Sequence, residues 1–79
     1  MDEVTEVEVR FDAAGKITVL SFTWRGTRLP VMGAGREWEA GDGRHFLVMT
    51  TGERVSELVY EEANGVWRVV SAPWPALVA

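Results

Sequence analysis

The chain has no cysteine and no glutamine, and only one asparagine (Asn64), one histidine (His45) and one lysine (Lys16). Without cysteine there is no disulfide staple, no thiolate metal site and no cysteine nucleophile. Small secreted domains often depend on such bridges, so their absence points to a reducing cytoplasm. No apolar run approaches the ~20 residues of a membrane-spanning helix. The start, Met1-Asp2-Glu3-Val4, is acidic where a secretory leader is basic, so the mature chain is expected to begin near Met1. The scarcity of amides fits a thermophile. It fits equally a GC-rich genome, which gives the same Arg, Ala, Gly and Val bias. No stretch of about ten residues holds a helical period, and there is no internal repeat.

What the chain does hold is aromatic bulk and alternation. Its 79 residues make one domain, and four tryptophans (Trp24, Trp38, Trp67, Trp74) with three phenylalanines (Phe11, Phe22, Phe46) supply a core. Val7, Val9 and Phe11 alternate with Glu6, Glu8 and Arg10, the period of a strand with one wet face. Asp12 to Gly15 reads as a turn and Lys16 to Trp24 as a second strand. The apolar phase of that strand switches between Ile17/Val19 and Leu20/Phe22/Trp24, which predicts a bulge near Val19–Leu20. Arg25-Gly26 has the length of a tight hairpin turn. Thr27 to Met32 is a strand placed at an edge or made irregular by Pro30. Gly33-Ala34-Gly35 bends the chain, and Arg36 to Ala40 is a short extended piece with Trp38 pointing inward. Strands over 44–51, 54–62 and 66–72 follow, the last two joined by the hairpin signal Asn64-Gly65. The expected fold is all-β: a five- to six-stranded antiparallel meander curled into a small barrel or half-barrel. Residues 1–72 form the domain and 73–79 a Pro/Trp-containing tail, because Pro73-Trp74-Pro75 cannot continue a central strand.

Net charge is −4, unevenly spread. Residues 1–12 carry five acids against one arginine, whereas residues 25–54 carry five arginines against four acids. The acidic total argues against tight non-specific nucleic-acid binding, while the arginine-bearing middle leaves a local patch open. The candidate binding face is Trp24, Arg25, Arg28, Arg44 and Phe46. With Trp38 alongside, these residues could line an oligonucleotide groove. The competing reading pairs each arginine with a cross-strand acid such as Glu37, Glu39 or Glu57, and lets Trp24 pack the core above an Arg25-Gly26 turn.

The chemistry-bearing residues form no catalytic pattern. Gly33-Ala34-Gly35 is followed by neither a helix nor Lys-Ser/Thr, so it is no phosphate loop. His45 has Glu37, Glu39 and Asp42 nearby in sequence, but no spacing typical of metal ligands, and is expected to face outward on its strand beside Phe46. Ser21, Ser56 and Ser71 lie within strands and carry no nucleophile elbow. No enzyme, metal or cofactor is expected. The apolar tail, with Trp74 at its centre, is the candidate for docking or self-association.

The order Val7-Glu-Val-Arg-Phe11, Phe22-Thr-Trp-Arg-Gly26, Gly35-Arg-Glu-Trp38, Arg44-His-Phe-Leu-Val48, Glu57-Leu-Val-Tyr60 and Gly65-Val-Trp-Arg-Val69 resembles a family of short bacterial proteins that share a domain of unknown function. Its marker is Phe-x-Trp-Arg-Gly with a closing Gly-x-Trp-Arg, and the resemblance covers most of residues 4–70. Some of its members are encoded near genes for error-prone DNA polymerases. The family has no assigned catalytic residues, so the resemblance implies a fold and a context but no site. This chain departs from it at Leu29-Pro30 and at the short Gly41-Asp42-Gly43 loop. The expected function is therefore an interaction module binding a protein partner or itself. The alternative is a weak nucleic-acid-binding accessory protein using the Arg/Trp face.

Overall fold

The computed structural model describes residues 3–75, and side chains through Ser71. Seven strands form one antiparallel sheet: β1 (Glu3–Thr5), β2 (Val7–Phe11), β3 (Ile17–Trp24), β4 (Thr27–Ala40), β5 (Gly43–Thr50), β6 (Arg54–Glu61) and β7 (Val66–Pro75). Their order is β1-β7-β6-β5-β4-β3-β2, so β2 to β7 are a meander and β1 returns to pair with β7. The architecture is the expected all-β half-barrel, with seven strands where five to six were expected. The excess arises at Glu6. This residue divides the first alternating run into two strands that lie at opposite ends of the sheet. At the break the Thr23 N–H donates to the Glu6 carbonyl at 3.0 Å, and the Thr5 hydroxyl donates to the Thr23 carbonyl. One continuous segment thus holds both ends of the sheet, and this curls it.

The anticipated bulge in β3 is present. Val9 pairs with Val19 and Glu8 with Ser21, leaving Leu20 as the extra residue, 41% exposed. On either side the inner phase switches from Ile17/Val19 to Phe22, which is 1% exposed. The Arg25-Gly26 turn has φ of 48° and 83°, left-handed at both positions as a tight right-twisting hairpin requires.

β4 differs from expectation. The pieces at 27–32 and 36–40 are one strand, which pairs with β3 through Pro30 and with β5 from Val31 onward. Its register slips between Val31 and Gly33 and again between Ala34 and Glu37. The glycines serve as bulges in a strand that changes partner, not as a chain-reversing bend. Pro30 stands at the last β3 pairing, where a missing N–H interrupts neither ladder. The second slip also resets side-chain phase. Trp38 lies opposite His45 on the outer face, stacked at 5.0 Å, and does not point inward.

The tail also departs from expectation. β7 crosses the anticipated boundary at residue 72, and Trp74 and Pro75 take register positions opposite Val55 and Arg54. Prolines are tolerated there because the described part of β1 reaches only to Val69, leaving the outer edge of β7 beyond that point without a ladder to interrupt. The Trp74 side chain and residues 76–79, on which the docking expectation rests, lie outside what is described.

The core is Phe22, Phe46, Val48, Leu58 and Val69 with Ile17 and Val19, and Trp24, Tyr60 and Trp67 pack against it. No helix among the described residues is long and apolar enough to cross a membrane.

Candidate functional site

The expected binding face is divided by the fold. Phe46 alternates with His45 on β5 and points into the core at 4% exposure, so it offers nothing to a ligand on the outer surface. Trp24 is half-buried against the core, with the Arg25 guanidinium 4.6 Å from its ring centroid. Arg25 also reaches Glu3 at 3.3 Å. Arg28 pairs with Glu8 and donates to Ser21 Oγ at 3.1 Å. Arg44, on a different hairpin, meets Glu39 at 2.9 Å and Glu37 at 3.9 Å. All three arginines of the expected face therefore have carboxylate partners. Such exposed pairs contribute little to stability, but they neutralise the potential that a phosphate backbone would need. Trp38, the other aromatic of that groove, is on the opposite side of the sheet from Phe46, with Arg36 5.3 Å from its ring centroid.

The outer face of β4 to β7 has two unlike halves. At the β4–β5 loop end lies a charge cluster around His45, which is 8% exposed beneath Trp38. Its Nδ1 is 2.7 Å from Glu57 and its Nε2 2.7 Å from Asp42. Two carboxylates, one at each ring nitrogen, favour the doubly protonated ring, in which both nitrogens donate. Burial is the largest single influence and favours the neutral ring. The hydrogen bonds and charges of Asp42 and Glu57 together outweigh it and hold His45 above its ordinary pKa. The His45 hydrogen bond in turn holds Asp42 below the usual carboxylate range. Arg68 extends the cluster to Glu61 and, at 3.7 Å, to Asp42. With both nitrogens engaged, His45 has no lone pair for a metal or a substrate proton. Among the described residues no group of three His, Asp or Glu is placed to hold a metal ion.

The other half is apolar. Gly33, Ala34 and Gly35 of β4 flank Leu47, Met49 and Val55 around a shallow basin of about 230 Å³. Met49 is 39% exposed, and the neighbouring Met32 is 68% exposed. The bulges leave glycine and alanine where β4 would otherwise lay side chains over β5. Leu47 and Met49 stay uncovered as a result. The sequence carried a signal for this, since Leu47 and Met49 share the outward parity of His45, but Gly33 to Gly35 reads as a bend when taken alone.

Beside the basin the wall of the half-barrel is split. The β3–β4 ladder ends at Ser21–Pro30. Beyond it residues 17–19 pair only with β2, and residues 33–37 only with β5. A cleft of about 350 Å³ lies between these two strand edges, with Phe46 and Val48 among its lining residues.

No family model, curated protein or solved structure matches the chain.

Proposed function

We propose that this chain is a small interaction module that binds a protein partner or a second copy of itself through the outer face of β4, β5 and β6. The observation that carries this reading is the apolar basin of Leu47, Met49 and Val55, left open by the Gly33–Gly35 segment, which the exposed Met32 precedes in the chain. Contiguous exposed apolar surface on a small domain marks an interaction site more often than single exposed residues do. The carboxylate partners of Arg25, Arg28 and Arg44 support the protein reading over a nucleic-acid one. The engaged nitrogens of His45 weigh against catalysis.

Sedimentation across a concentration series, combined with an amide-resolved titration using mixed-sequence single-stranded DNA, tests this. Reversible self-association weakened by the double variant Met32→Ser/Met49→Ser supports the reading. DNA-induced shifts at residues 24–28 and 44–48 that fade as salt rises overturn it in favour of the nucleic-acid accessory.

A further inference from the structure

The split wall has a chemistry of its own. Residues 17–19 and 33–37 are strand edges that face one another across the cleft, each laddered on its far side only. Such edges present alternating backbone donors and acceptors, which are best matched by another extended backbone. Beneath them lie Ile17, Val19, Phe46 and Val48, an apolar floor that takes every second side chain of a guest strand. A strand residue sweeps roughly 160 Å³, from a rise of about 3.3 Å, a strand spacing of about 4.8 Å and a sheet spacing of about 10 Å. The cleft of about 350 Å³ therefore holds a stretch of about two residues, comparable with the short free edge at 17–19.

Charge selects among guests. The cations Lys16 and Arg36 line the cleft, and its one acidic lining residue, Glu37, is already paired with Arg44. The rim is cationic on a chain whose net charge is −4. A second copy is a poor guest, because β2, its alternating acidic-apolar strand, already has one edge laddered to β3. A guest between two edges needs both of its own free.

We propose that the seam between residues 17–19 of β3 and residues 33–37 of β4 is a strand-addition site for a short extended segment of a partner protein in which apolar residues alternate with carboxylates. This rests on the interaction-module reading and adds to the outer-face basin a second docking place, with the kind of segment it takes. Outward carboxylates of the guest meet Lys16 and Arg36 while its apolar side chains enter over Phe46 and Val48.

The test is amide hydrogen exchange on the intact chain with a synthetic peptide of about eight residues alternating valine and glutamate. The amides of residues 17–19 and 33–37 that point into the cleft should exchange at least about ten-fold more slowly with the peptide at saturation. The same peptide with alternate amides N-methylated should lose this protection. The double variant Lys16→Glu/Arg36→Glu should bind it at least about ten-fold more weakly and prefer a valine–lysine peptide. Both substitutions are on exposed side chains, and unchanged exchange at Leu58 and Val69 would verify that the fold persists. Protection confined to the Met49–Val55 basin, or no protection anywhere, overturns the seam as the docking site. Equal affinity for the acidic and basic peptides overturns the charge assignment. Neither result touches the interaction-module reading, which is read from the Met32/Met49 variants.

Discussion

The two halves of the outer face are built on the same strands and finished in opposite ways. At the loop end, Trp38 covers His45, His45 bonds to Asp42 and Glu57, and Arg68 pairs with Glu61 and Asp42. At the other end Gly33, Ala34 and Gly35 cover nothing, and Leu47, Met49 and Val55 meet solvent. Both halves obey the same period-two alternation, with His45 outward on β5 in one and Leu47 and Met49 outward in the other. The difference lies in β4, which places an aromatic over one half and two bulges over the other. A polar cluster whose groups are largely engaged with one another gains little from a partner, whereas uncovered apolar surface gains by being buried. Function is therefore sought in the plainer half.

The largest expected effect comes from Gly43, the residue that lets the β4–β5 loop turn and carry Asp42 to His45. Its φ of 136° disfavours any side chain, and an added Cβ would collide with the Tyr60 carbonyl. Gly43→Ala should cost about 2–4 kcal/mol in urea unfolding and displace the loop. A variant as stable as the parent would mean that the closed half does not depend on this turn.

Next is the pH response of the cluster. The folded pKa of His45 is raised, so its stabilisation is complete below its ordinary value of 6.5 and is lost as pH rises through the folded pKa. The folded pKa of Asp42 is lowered, so its contribution is present above the ordinary value of 3.8 and is lost as pH falls through the folded pKa. The unfolding midpoint should peak in weak acid and decline toward alkaline pH. His45→Gln should flatten the alkaline limb, and an undiminished decline in that variant would assign it to another group.

A smaller gain is expected from Ser56, which is 0% exposed and whose hydroxyl has no hydrogen-bond partner among the described residues. Ser56→Ala should raise stability by about 1 kcal/mol, and a loss of that size would reveal an unseen partner for the hydroxyl. The smallest effect sharpens the contrast itself. Met49→Ser should change stability by less than about 0.5 kcal/mol while reducing association, as befits a side chain exposed for a partner and not for the core. A large loss of stability would place Met49 with the packed residues instead.

The strands, the β3 bulge and most turns were legible because alternation and left-handed turn residues are local signals. The Leu20 bulge shows it well, since a switch of apolar parity within one strand has few other physical causes. Trp38 was misplaced for the converse reason. Its face depends on a register slip at Gly35–Arg36 that has no signature beyond the glycine. Arg44 could be paired with Glu37 and Glu39 from sequence because all three flank one hairpin. The His45 cluster could not, because Glu57 and Arg68 reach it from strands whose alignment is set by the whole sheet. The seam was equally hidden, since it exists only because β4 leaves β3 for β5 partway along. Pro73 and Pro75 misled because a proline forbids a central position, not an edge, and which strand would be at an edge was not a local question.

The break at Glu6 also sets an order of events. From β2 to β7 every new strand can zip onto the one before it through a short turn, whereas β1 finds its partner in β7, nearly the whole chain away. Closing so long a loop carries the greatest entropy cost in this topology. On a ribosome residues 3–5 would emerge well before β7, the strand they pair with. Closure of β1 on β7 is therefore expected late in folding, and the Glu3–Thr5 stretch is the first pairing expected to open.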